Sequence, residues 1–127
     1  MKGQDILIVE DENIVALDMR MRLESMGYRV VDVVDTAALA VLRVAELSPE
    51  LVLMDIKLKG DQDGIEAAVQ IREKSDAPVI FVTAFPERLL TGERPEPAYL
   101  MTKPFERLTL KATIGQALFF HRARQAA

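Results

Sequence analysis

Five short apolar runs recur along the chain: Ile6–Val9, Val30–Val34, Leu51–Met54, Val79–Val82 and Tyr99–Met101. They are rich in Val, Ile and Leu and nearly continuous, as in strands buried on both faces rather than on one. Between them lie amphipathic stretches with helical spacing, about Asn13–Met26, Ala37–Glu46, Ile65–Lys74 and, after the last run, Leu108–Phe120. Gly27 follows the first stretch where a helix C-terminal cap belongs. Pro49 and Pro78 stand just before the third and fourth runs, where they stop a helix from continuing. This alternation predicts an α/β fold of βα units, a parallel sheet with helices on both faces. The fourth unit is irregular. Its connection, AFPERLLTGERPEPA, carries three prolines and a glycine. Only Pro86–Leu90 can be helical there, with Pro86 in a first-turn position, and Thr91–Pro97 reads as loop.

A length of 127 residues suits a single domain, 1–127, and with half its residues apolar it can bury a core. No apolar run approaches the roughly 20 residues of a membrane span. The first run ends in acids, which a signal peptide does not do. There is no cysteine, so disulfides and thiolate metal sites are excluded, and the single histidine, His121, cannot build a His-rich metal site. A net charge of −4 argues against direct nucleic-acid binding. A cytoplasmic location is expected.

Chemistry-bearing residues stand at the C-terminal ends of the runs, where ligands bind in open α/β sheets. The first run ends in Glu10-Asp11-Glu12, the third in Asp55, the fourth in Thr83, and the fifth in Lys103, followed by Pro104 and Phe105. Each has an ordinary reading alone: Asp11 or Glu12 as a helix cap, Asp55 as a turn residue, Thr83 as structural, Lys103 as a solvated lysine. Together, and in this order, they point to a site. Carboxylates about 5 Å apart repel by roughly 3 kcal/mol per pair at an effective dielectric near 20. A hard divalent cation removes that cost, and Mg2+ favours a few carboxylates plus water. A carboxylate can then act as nucleophile toward a phosphoryl group, whose oxygens need the positive charge and donors that Mg2+, Lys103 and the Thr83 hydroxyl can supply.

The segments ILIVEDE, LVLMDIKL, VIFVTA and MTKPF together resemble the receiver domains of two-component response regulators, over nearly the whole chain. The resemblance implies a flavodoxin-like (βα)5 fold with strand order 2-1-3-4-5 and a short or irregular fourth helix. It implies Asp55 as phosphoacceptor, Asp11 as direct Mg2+ ligand, Glu10 as a second acid acting through water, and the Lys57 backbone carbonyl as a further ligand. Thr83 resembles the switch hydroxyl and Lys103 the lysine that pairs with the phosphoryl group. The peptide before Pro104 is expected to be cis, which an X-Pro bond tolerates. The sequence also departs from the family. Three places before the lysine stands Leu100, with the aromatic one place earlier at Tyr99. A one-residue shift in a strand sends a side chain to the opposite face, so the usual threonine–aromatic coupling does not carry over.

The stretch VIFVTAFPERLLTGERPEPAYLMTKPF, with QALFF near the end, is similar to the receivers of PhyR-type general-stress regulators, in which a sigma-factor-like domain precedes the receiver and is freed on phosphorylation to capture an anti-sigma factor. The expected function is therefore a phosphoacceptor switch, fed by a sensor histidine kinase or a phosphotransfer protein, that promotes its own phosphorylation and dephosphorylation without acting as an enzyme on a separate substrate. The alternative is a stand-alone receiver in a phosphorelay or as a phosphate sink. An aspartate-dependent phosphatase usually carries a second Asp where Lys57 stands. A flavin carrier needs a phosphate cradle where EDEN is acidic. Lys57 and Phe85, two residues after Asp55 and Thr83, are expected to border the path of attacking water and to slow dephosphorylation. Two stripes are legible on the first helix, Val15/Met19/Leu23/Met26 and Ile14/Leu17/Met21. Two more lie on the last: Leu110/Ile114/Ala117/Leu118 toward the core, and Leu108/Ala112/Gly115/Phe119 as a face for a sigma-like domain or another receiver, with Phe119 its anchor.

Overall fold

The computed structural model describes residues 4–89 and 99–126. Five parallel strands, β1 (Asp5–Val9), β2 (Arg29–Val34), β3 (Leu51–Met54), β4 (Val79–Thr83) and β5 (Tyr99–Thr102), form one sheet in the order β2-β1-β3-β4-β5. The helices are α1 (Asn13–Ser25), α2 (Ala37–Leu47), α3 (Gly64–Arg72) and α4 (Arg107–Ala126), and the fourth unit holds only a 3-10 turn, Pro86–Leu89. The fold class and strand order are those the resemblance implied. Thr91–Pro97, read as loop, lies outside the described residues.

Alternation along the strands divides the core in two. Leu7, Val9, Val52, Met54 and Phe81 face α2 and α3. Ile6, Ile8, Leu53, Ile80 and Val82 face α1 and α4. Every residue of β3 and β4 is buried, which is why those runs carry no polar alternation.

Local rules set the helix ends. Gly27 has φ +94°, and Tyr28 N–H donates to Leu23 O at 3.1 Å while Gly27 N–H donates to Glu24 O at 3.1 Å, the double closure of a left-handed C-terminal cap. Thr36 caps α2 by accepting from Leu39 N–H at 3.1 Å. Asp63 and Glu66 form a reciprocal capping box at the start of α3.

Two helices differ most from expectation. α3 starts at Gly64, where the capping box places it, and ends at Arg72, two residues before Lys74. α4 runs six residues past Phe120, to Ala126. The tail HRARQA is polar, so its amphipathic pattern fades, but it holds good helix formers and neither Gly nor Pro. Gln125 pins it to the body by donating to Asp76 Oδ2 at 3.1 Å. Among the described residues, no helix is long and apolar enough to cross a membrane.

Candidate functional site

The strand order sets β3 between β1 and β4, with β5 beyond β4. Residues just past the C-terminal ends of β1, β3 and β5 therefore meet above one end of the sheet. Asp55 follows β3 directly, and its N–H donates to Val9 O at 2.9 Å, which fixes the loop to the end of β1. Glu10 is tied on the other side, its N–H donating to Val34 O at 2.9 Å. Lys103 N–H donates to Thr83 O at 2.9 Å, which holds the lysine backbone beside β4. The Lys103–Pro104 peptide is cis.

Carboxylate oxygens of Glu10, Asp11 and Asp55 lie within 4.8 Å of one another, with Glu10 and Asp55 buried. The Lys103 ammonium spans two of them, 2.5 Å from Glu10 Oε1 and 3.1 Å from Asp55 Oδ2. Burial is the largest influence on Glu10, and with the nearby Asp55 charge it outweighs the Lys103 hydrogen bond, raising its pKa from 4.5 to about 7. For Lys103, burial pulls the pKa down, but the Glu10 hydrogen bond and the charges of Asp55 and Glu10 win, and the net shift is upward. One lysine thus stabilises an acidic cluster whose remaining negative charge suits a hard cation.

A cavity of about 170 Å³ opens over this cluster, lined by Asp11, Glu12, Asp55, Lys57, Ala84, Phe85 and Lys103. Glu12 occupies the N-cap position of α1 without a side-chain cap bond, and Asp11 belongs to the acidic cluster. The helix-cap reading of these acids therefore finds no support. Thr83 ends β4 fully buried, with its hydroxyl accepting from Phe85 N–H at 3.0 Å. It is beside the cavity rather than in its lining.

Gly64 carries no chemical group, and its contribution is space. A Cβ there would lie 2.0 Å from the Asp55 carbonyl oxygen, and Gly64 N–H donates to Ile56 O at 2.7 Å. The first turn of α3 is pressed against the backbone that carries Asp55. Spacing gives no hint of this, but the D-G-I-E signature of the capping box fixes where the helix begins.

Tyr99 packs half-buried on the α1/α4 side of the core, while Leu100 is exposed on the other side. The one-residue shift has its expected consequence.

A doubly wound five-stranded sheet with an acidic cluster, a hydroxyl and a lysine at its strand ends is the arrangement of a receiver domain. The chain belongs to the response regulator receiver domain family, whose model matches residues 6–115. It is similar to the phyllosphere-induced regulator PhyR of Methylorubrum extorquens, 44% identical over 120 residues that make up 94% of this chain and 45% of the relative. The receiver domain of Erythrobacter litoralis PhyR, solved by NMR, superposes with a TM-score of 0.86 at 46% identity, covering 94% of this chain and 93% of that one. The anti-anti-sigma factor PhyR from Bartonella quintana superposes with a TM-score of 0.86 at 44% identity, covering 99% of this chain and 51% of that one. The chain spans about half the length of the curated relatives it matches.

Proposed function

We propose that this receiver, a single domain over residues 1–127, is a switch set by phosphorylation of Asp55. The observation that carries the reading is Lys103 bridging Asp55 and Glu10 beside Asp11 at the mouth of the cavity. A carboxylate oxygen of Asp55 attacks the phosphorus of a phosphohistidine on a sensor kinase or phosphotransfer protein. The P–N bond breaks and the imidazole leaves. Lys103 then exchanges one carboxylate contact for a phosphoryl oxygen, and the Thr83 hydroxyl leaves Phe85 N–H to donate to another. No separate substrate is turned over.

The donor set fits Mg2+: three clustered carboxylates are hard oxygen ligands of the kind this ion takes. Asp11 and Asp55 would hold it directly, Glu10 through water, and the Lys57 carbonyl would complete the protein ligands. Bound there, the ion supplies positive charge that offsets the carboxylates and the incoming phosphoryl oxygens.

The output is a change of protein partner. Leu108 and Phe119 are exposed on α4, with the small Ala112 and Gly115 exposed between them, while Leu110, Ile114, Ala117 and Leu118 are buried. This supports the two-stripe reading and offers a face to a sigma-like domain or another receiver. Likeness to PhyR supports a place in general-stress signalling through anti-sigma partner switching.

Intact mass after incubation with acetyl phosphate tests the central step. A gain of one phosphoryl group is expected with Mg2+, and none with EDTA or in Asp55→Asn. Full labelling of Asp55→Asn would move the acceptor elsewhere.

A further inference from the structure

At the opposite end of the sheet from Asp55 lies a cavity of about 720 Å³. It sits by the residues that lead into β3 and β4 and under the last turns of α4. Its charged lining comprises Arg72, Lys74 and Arg122 against Glu50 and Asp76, with His121 beside them. The balance is locally positive in a chain of net charge −4.

The acids offset this cluster only in part, three bases facing two acids. The Asp76 carboxylate accepts from the Gln125 amide at 3.1 Å, which ties it to α4 and leaves its charge in place. Arg72 reaches only the Asp76 backbone, Nη1 donating to the carbonyl at a long 3.4 Å. Its Nη2 is buried and has no hydrogen-bond partner among the described residues. A cationic donor shut away from water without an acceptor is costly. Basic residues in the last turn of a helix complement its dipole, which accounts for the presence of Arg72 in α3. It does not account for a guanidinium nitrogen turned out of solvent beside a cavity.

We propose that this cavity binds a soluble phosphate-bearing anion of nucleotide size, with Arg72 as its central contact and Lys74 and Arg122 around its charge. The planar guanidinium matches a pair of phosphate oxygens, and the Arg72 side chain would have to turn toward the cavity to present its buried Nη2 to them. The volume falls in the range of small-molecule sites, about 300–1,000 Å³, and exceeds what a bare phosphate fills. An occupant would touch both the end of α3 and the tail of α4.

The site shares no lining residue with the cavity over Asp55, and metal-free titrations separate the two. ATP, pyrophosphate and inorganic phosphate are added to the full chain in EDTA, followed by calorimetry and backbone amide NMR. One-to-one saturable binding of ATP is expected, with shifts at Arg72, Ser75–Ala77 and His121–Gln125, and weaker binding of inorganic phosphate. Arg72→Gln should weaken ATP binding by about 10-fold or more, the loss typical of a charge-assisted contact. Arg122→Gln, on an exposed position, should weaken it without lowering the melting temperature. Absence of saturable binding, shifts confined to Asp11, Asp55 and Lys103, or undiminished affinity in both variants would each overturn the proposal. Equal affinity for inorganic phosphate and ATP would overturn the assigned ligand size.

Discussion

Gly64 leaves no room for a side chain because the carbonyl of Asp55 occupies the space: a Cβ would come within 2.0 Å of that oxygen and 2.9 Å of the Met54 side chain. Ordinarily Gly→Ala in a helix gains up to about 1 kcal/mol. Here the backbone has to give way, and Gly64→Ala is expected to destabilise by about 1–3 kcal/mol, the range of overpacking. It should also slow labelling of Asp55 by acetyl phosphate, because the acceptor moves with its carbonyl. A urea midpoint at or above wild type would remove Gly64 from this role.

Asp11→Asn is expected to weaken Mg2+ binding at least about 10-fold, the scale of losing one charged contact of 1.5–3 kcal/mol. The N-cap position of α1 belongs to Glu12, so capping does not account for Asp11. Titration of Mg2+ followed by amide NMR reads this directly. An unchanged midpoint would return Asp11 to a surface role.

Lys57 and Phe85 both line the cavity over Asp55, and Phe85 is 50% exposed there. Under the proposed function, both positions would border the approach of water to a phosphoryl group on Asp55. Phe85→Ala and Lys57→Asn are each expected to shorten the phosphoryl half-life, measured by loss of label after donor removal. Half-lives equal to or longer than wild type in both variants would sink this assignment.

Phe119 is 65% exposed, its ring edge-on to Phe120 at 5.6 Å. Phe119→Ala should leave the melting temperature nearly unchanged while weakening partner binding or self-association by about 10- to 100-fold, from the roughly 1.5–3 kcal/mol gained on burying such a ring. A large drop in melting temperature with intact association would place Phe119 in the core instead.

The first helix carries a second exposed apolar stripe. Met19 and Leu23 are buried while Ile14, Leu17 and Met21 are exposed, so a single wide core stripe does not describe it. Sequence periodicity resolves such faces because side-chain direction follows directly from position along a helix. The meeting of Glu10, Asp11, Asp55 and Lys103 was legible for a related reason: each group stands at the end of an apolar run, and parallel pairing brings those ends together. The strand order came instead from the family resemblance. Other features depend on contacts that no spacing encodes. The Thr83 hydroxyl is held by a backbone amide two residues on. Gly64 matters through a carbonyl nine residues away. The basic cavity draws on three separate segments, around Ser48–Glu50, Arg72–Ala77 and Leu118–Gln125. The polar tail of α4 is helical through residue propensity and a single side-chain tie to Asp76, neither of which leaves an apolar stripe.

The length of α4 has a mechanical meaning. Its 20 residues make a rod about 30 Å long, rooted at Arg107 only four positions beyond Lys103. Arg107 Nη1 donates to Ser25 Oγ at 2.8 Å, and Arg22 lies 5.6 Å over the Phe105 ring, so the root is fastened to the end of α1. A rigid tilt of about 5° about that root, with the buried Leu110, Ile114, Ala117 and Leu118 sliding on the core, would move the far end through roughly 2.6 Å, given the same rise per residue. A displacement too small to repack the lysine would thus arrive at Gln125 as a full step, large enough to break its bond to Asp76 and move one wall of the basic cavity.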